Sequence, residues 1–126
     1  MTISITDHRR TLKVGGSDVA YIEYTFTTDA SGDASEQTEL TIVGQLQKVV
    51  TIPDAVDTPT AAWDLEIKDE NSVDVLGGAG GDRDVDGTVA TEVIMPYESS
   101  YFNSKLTFTV ANGGNAKKGT VRVYYT

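Results

Sequence analysis

The stretch Asp18-Val19-Ala20-Tyr21-Ile22-Glu23-Tyr24-Thr25-Phe26-Thr27 decides the fold class. Ala20, Ile22, Tyr24 and Phe26 fall on one side of an extended chain, and Tyr21, Glu23 and Thr25 on the other. That period of two places one strand face in a core and the other in water. The pattern recurs: Trp63, Leu65 and Ile67 oppose Asp64, Glu66 and Lys68; Leu106, Phe108 and Val110 alternate with Thr107 and Thr109; Val121, Val123 and Tyr125 alternate with Arg122 and Tyr124. Weaker alternation predicts strands at 2–6, 10–14, 38–43, 45–52, 72–76 and 88–95. Turn signals separate them at Gly15-Gly16-Ser17, Asp29 to Asp33, Pro53-Asp54, Asp69-Glu70-Asn71-Ser72, Gly77 to Gly87 and Asn112-Gly113-Gly114-Asn115.

Side-chain usage agrees. Thr (17), Val (14) and Ile (7) supply 38 β-branched residues of 126, against 6 Leu, which suits pleated sheets and disfavours helices. No window of helical length carries a 3.6-residue period, so helix is confined to one short turn placed near Glu98 to Phe102. Residues 29–37 read as the most loop-like stretch. The expectation is one all-β domain over residues 1–126, a β-sandwich of Greek-key or jelly-roll type, with an N-terminal strand or arm at 1–14. Its predicted core is Ile22, Tyr24, Phe26, Ile42, Leu46, Ile52, Trp63, Leu65, Ile67, Val75, Leu106, Phe108, Val121 and Val123.

Ten Lys and Arg against 19 Asp and Glu give a net charge of −9, which argues against a nucleic-acid partner. No run of 18 apolar residues suggests a membrane span, and the opening Met1-Thr2-Ile3-Ser4-Ile5-Thr6 does not read as a secretory leader. Without cysteine there is no disulfide, thiolate site or thiol nucleophile. Charge is uneven: residues 54–86 hold ten acids against Lys68 and Arg83, whereas residues 99–126 hold Lys105, Lys117, Lys118 and Arg122 and no acid. Two patches of opposite sign either orient association with a partner or simply face water.

Catalytic chemistry is not legible. His8 is the single histidine, beside Arg9 and Arg10, with no nucleophile motif to complete a triad, and reads as an exposed or capping residue. Gly77-Gly78-Ala79-Gly80-Gly81 lacks the Lys-Ser/Thr of a phosphate loop. Asp64 and Glu66 share the solvent face of a strand. No catalytic residue is assigned and the chain is expected not to be an enzyme.

Asp82-Arg83-Asp84-Val85-Asp86-Gly87 has the D-x-D-x-D-G spacing that brings three carboxylates onto a hard cation. Asp82, Asp84 and Asp86 are therefore candidate Ca²⁺ ligands. The motif is partial, because its twelfth position is Val93, Glu92 comes one residue early, and no helix flanks it. The alternative is a solvated acidic loop neutralised in part by Arg83, with no cofactor.

The run Gly44-Gln45-Leu46-Gln47-Lys48-Val49-Val50-Thr51-Ile52-Pro53, then Trp63 to Asp69 leading into Asp74-Val75-Leu76-Gly77-Gly78-Ala79-Gly80-Gly81-Asp82-Arg83-Asp84, and the ending Leu106 to Tyr125 resemble small β-rich virion proteins of tailed bacteriophages. The resemblance implies a capsid-decorating protein on the outer shell, made in the host cytoplasm. Its implied partners are the major capsid protein and copies of itself, most simply as a trimer at three-fold junctions. A head-to-tail or tail component and a ligand- or ion-binding β-sandwich are the alternatives. Tyr21, Tyr97, Tyr101, Phe102 and Tyr124 fall outside the expected core faces or at strand ends and are the candidate interface residues.

Overall fold

The computed structural model describes residues 3–14, 17–95 and 101–126, of which 3–14 and 17–19 are described by backbone alone. Nine strands form among them: β1 (Ile3–Val14), β2 (Ser17–Thr27), β3 (Ala34–Gln37), β4 (Ile42–Pro53), β5 (Asp64–Lys68), β6 (Glu92–Ile94), β7 (Tyr101–Ser104), β8 (Thr107–Ala111) and β9 (Lys118–Tyr125). The six-stranded sheet runs β1-β2-β9-β4-β6, with β7 also on β4, and the three-stranded sheet runs β3-β8-β5. All pairings are antiparallel.

The alternation read from 18–27 holds: Ile22, Tyr24 and Phe26 of β2 are fully buried, as are Val121 and Val123 of β9 beside them. Across the sandwich they meet Leu65 and Ile67 of β5, and Phe108 and Val110 of β8. Rings thread the core, with centroids 5.4 Å apart for Phe26 and Trp63, 5.9 Å for Tyr24 and Phe26, and 5.1 Å for Tyr24 and Phe108. Offset or tilted pairs at such spacing add to the area that each ring buries.

Twelve of the fourteen predicted core residues are buried; Ile52 and Val75 are only partly so. Ile52 fails for a definite reason. In β4 the buried residues change parity, from Ile42 and Leu46 to Val49, Thr51 and Pro53, because a register shift against β9 lies between Leu46 and Lys48. A bulge adds one residue to one strand and turns every later side chain to the other face. Thr51 therefore enters the core, where its Oγ1 has no partner among the described residues, and Ile52 turns outward.

Other expectations are corrected locally. Strand 72–76 is a turn, since the Asp74 carboxylate accepts the amides of Ile67 (3.2 Å), Leu76 (3.1 Å) and Gly78 (2.9 Å). The strand expected over 88–95 is only Glu92–Ile94, and the loop expected over 29–37 contains β3. The expected helical turn near 98–102 lies partly outside the described residues, and its described part, Tyr101 and Phe102, is strand. Of the strands expected at 2–6 and 10–14, residues 3–14 form one strand, β1, with a register shift between His8 and Leu12, and residue 2 lies outside the described residues.

The glycine-rich segment is a cover for the edge of β5. Leu65 N donates to Gly80 O (2.8 Å), Val75 N to Ile67 O (2.8 Å) and Arg83 N to Trp63 O (2.6 Å). A Cβ on Gly80 would collide with Leu65 O, so this close approach requires glycine there. Unpaired strand edges invite association with other chains, and this one is closed by the chain itself.

Candidate functional site

The two sheets differ in what they turn away from the core. On the three-stranded sheet the outward positions are Ser35 and Gln37 of β3, Thr107 and Thr109 of β8, and Asp64, Glu66 and Lys68 of β5. This is an ordinary wet face, with Lys68 Nζ 3.3 Å from Glu66 Oε2. On the six-stranded sheet, β2 turns out Tyr21, Glu23 and Thr25; β9 turns out Thr120, Arg122 and Tyr124; and β4 turns out Val43, Lys48, Val50 and Ile52. The edge adds Val93 and Tyr101, which with Val43 are exposed by 53%, 76% and 65%. Among the described residues, the remaining exposed large apolar ones, Leu40, Val56, Val73, Val85, Val89 and Met95, lie in connections, where isolated apolar groups are usual. The apolar outward face therefore belongs to one sheet.

Register organises that face into rows. Tyr21 lies opposite Tyr124 and Tyr124 opposite Lys48; Glu23 lies opposite Arg122, Arg122 opposite Val50, and Val50 opposite Val93; Thr25 lies opposite Thr120 and Thr120 opposite Ile52. The rings of Tyr21 and Tyr124 stand 5.5 Å apart. Lys48 Nζ lies 4.9 Å from the Tyr124 ring centre and the Arg122 guanidinium 5.8 Å from that of Tyr21. In the middle row Arg122 Nε donates to Glu23 Oε2 at 2.8 Å. That bond, then one with Tyr124, raises the Arg122 pKa, so the guanidinium stays charged. Beyond the bulge, Val43, Gln45, Tyr101 and Thr126 line a shallow cleft of about 450 Å³. Gly44 forms its floor because a Cβ there would stand 2.6 Å from Thr126 O.

The candidate interface residues separate accordingly. Tyr21, Tyr101 and Tyr124 lie on this face. Phe102 does not: it is 6% exposed and packs edge-on to Tyr125, with centroids 5.9 Å apart, because alternation in β7 sends Tyr101 out and its neighbour in. Tyr97 lies outside the described residues. His8 sits in β1 opposite Tyr21, and its side chain is not among those described. The outward Val43, Val50, Ile52 and Val93 were missed, although apolar residues at both parities of 46–52 signal a strand covered on both faces.

The acidic loop does not gather its carboxylates. Asp84 is 2% exposed and turns inward to accept the amides of Thr88 (3.0 Å) and Val89 (3.1 Å), whereas Asp82 and Asp86 are exposed. Glu92 Oε1 accepts the Asp84 amide at 2.5 Å and so closes the loop on β6. Among the described residues no three His, Cys, Asp or Glu side chains are placed to hold a metal ion. A second cleft, of about 260 Å³, is lined by Asp64, Glu66 and Asp74. Asp64 Oδ1 already accepts the Asp82 amide (2.9 Å) and Oδ2 the Asn112 side chain (2.6 Å). The acidic and basic segments partly meet within the chain, with Lys118 Nζ 3.6 Å from Asp57 Oδ2.

No protein-family model matches the chain, and no curated protein matches it. A solved structure to which it is similar is described as the crystal structure of FLHE, at 10% identity and a TM-score of 0.41, covering 85% of this chain and 96% of that one. That neighbour is not described as a virion protein. The expectation of a capsid-decorating, neck or tail protein is corrected on that finding and is withdrawn. At this level of likeness nothing of FLHE's own role passes to this chain.

Proposed function

We propose that the chain is a non-catalytic interaction module that works through protein–protein contact at the outer face of its six-stranded sheet. One observation carries the reading: the apolar and aromatic outward residues sit on that sheet, while the outward face of the other is polar. Aromatic and apolar groups crossed by a few charges, with a polar surround, are the composition of a contact surface. The acidic loop is accounted for by its own backbone bonds. The trimer expected above rested on shell junctions and is not carried forward; association with copies of itself is.

A photo-crosslinking residue placed at Val50, in the middle of the face, tests this against one at Thr109, on the outer face of the other sheet. Illumination in the producing cells should give a protein adduct from position 50 and none from position 109. Equal adducts from both, or none from position 50, would overturn the reading.

A further inference from the structure

We infer that the partner at this face is a second copy of the chain, packed sheet against sheet about a two-fold axis that runs along the strands between β2 and β9. The inference rests on the interaction role proposed above and names the partner.

Charge and shape on the face support it. β2 and β9 present matching rows: Tyr21 beside Tyr124, Glu23 beside Arg122, Thr25 beside Thr120. Rotation about an axis between the two strands keeps each row in place and exchanges the columns. Tyr21 then lies over the second copy's Tyr124, Glu23 over its Arg122, and Thr25 over its Thr120. Along β2 and β9 each tyrosine meets a tyrosine and the Glu23 and Arg122 charges meet their opposites, twice over, which is what a self-complementary interface requires. The Glu23–Arg122 contact of 2.8 Å within one chain becomes part of a four-charge ring shared by two.

Area points the same way. The strands β1, β2, β9 and β4, about 4.8 Å apart and about 33 Å long, cover about 600 Å² in each copy. The pair together buries about 1,200 Å², where specific interfaces begin. Sheets pack face to face about 10 Å apart, close enough for these side chains to interdigitate. Because the contact is isologous it uses the face up, and assembly stops at two copies.

Sedimentation equilibrium of the whole chain over about a hundred-fold range of concentration tests the inference through charge reversal. Wild-type protein should pass from 13.5 kDa to twice that mass. Glu23→Arg alone places four cations in the ring, and Arg122→Glu alone places four anions there. Each should weaken self-association at least about ten-fold. An equal mixture of the two variants should recover affinity to within about three-fold of wild type, because only in the mixed pair does each cation of one copy lie over an anion of the other. A purely intramolecular role for the Glu23–Arg122 pair cannot produce recovery on mixing. Circular dichroism of each variant checks that it is folded. A wild type that stays at 13.5 kDa throughout overturns the second copy while leaving the position-50 adduct to decide the interaction role; self-association without recovery on mixing overturns the two-fold geometry.

Discussion

Replacing Tyr24 by phenylalanine should stabilise the protein. Tyr24 is fully buried, and its hydroxyl has no hydrogen-bond partner among the described residues. A buried polar group left unpaired costs about 1–3 kcal/mol. Phenylalanine keeps the ring contacts with Phe26 and Phe108 and leaves a void of about one oxygen atom, which costs a few tenths of a kcal/mol at about 24 cal/mol per Å³. The net expectation for Tyr24→Phe is a gain of about 1 kcal/mol, or about 4 °C in melting temperature. Burial, with the nearby Glu36 carboxylate, also pushes the Tyr24 phenol well above its ordinary 10.0. A raised folded pKa favours the proton-bound form, so this contribution is complete below pH 10 and is lost as pH rises through the unfolded value toward the folded one. At pH 11.5 wild type should have lost about 2 kcal/mol that Tyr24→Phe retains. Urea denaturation at pH 8 and pH 11.5 measures both effects. A variant less stable than wild type at pH 8, or a difference that does not grow with pH, would refute the reasoning.

Three further predictions follow from the core and the loop. Trp63→Ala should cost about 3–5 kcal/mol in a chemical denaturation curve while circular dichroism remains that of a β-protein. Thr51→Val should raise stability by about 1 kcal/mol, because it removes a buried hydroxyl without a partner, and Ile52→Ala should cost less than about 1.5 kcal/mol; the reverse order would deny the β4 bulge. Asp84→Ala should cost about 1–3 kcal/mol by orphaning the amides of Thr88 and Val89, and neither added Ca²⁺ nor chelator should move the wild-type melting temperature. A Ca²⁺-dependent rise that this substitution abolishes would restore the ion reading.

The fold was legible where strand chemistry is local. Residues 18–27 form a strand with one dry face, so their alternation alone placed Ile22, Tyr24 and Phe26 correctly. β4 was not legible in the same way, since a one-residue bulge leaves no mark in composition yet exchanges Ile52 for Thr51. Residues 72–76 alternate like a strand, but a single carboxylate, Asp74, takes three amides and curls them into a turn. β3 escaped because four residues of edge strand among turn formers carry little pattern. For the site, Tyr21 and Tyr124 were identifiable as aromatic residues on the wet parity of long strands. Val50 and Val93 were not, because they become neighbours only through the β4–β6 pairing.

Hydroxyl-radical labelling of the tyrosines, with Met95 in an exposed connection as internal reference, tests the central claim most directly. The protein would be labelled in the lysate of its producing cells and again after purification and high dilution. The outer face of the six-stranded sheet as the contact surface predicts that Tyr21 and Tyr124 label less in the lysate than when dilute, relative to Met95. Equal labelling of both tyrosines in the two samples, with protection instead at Lys68 and Thr109 on the other sheet, would contradict it.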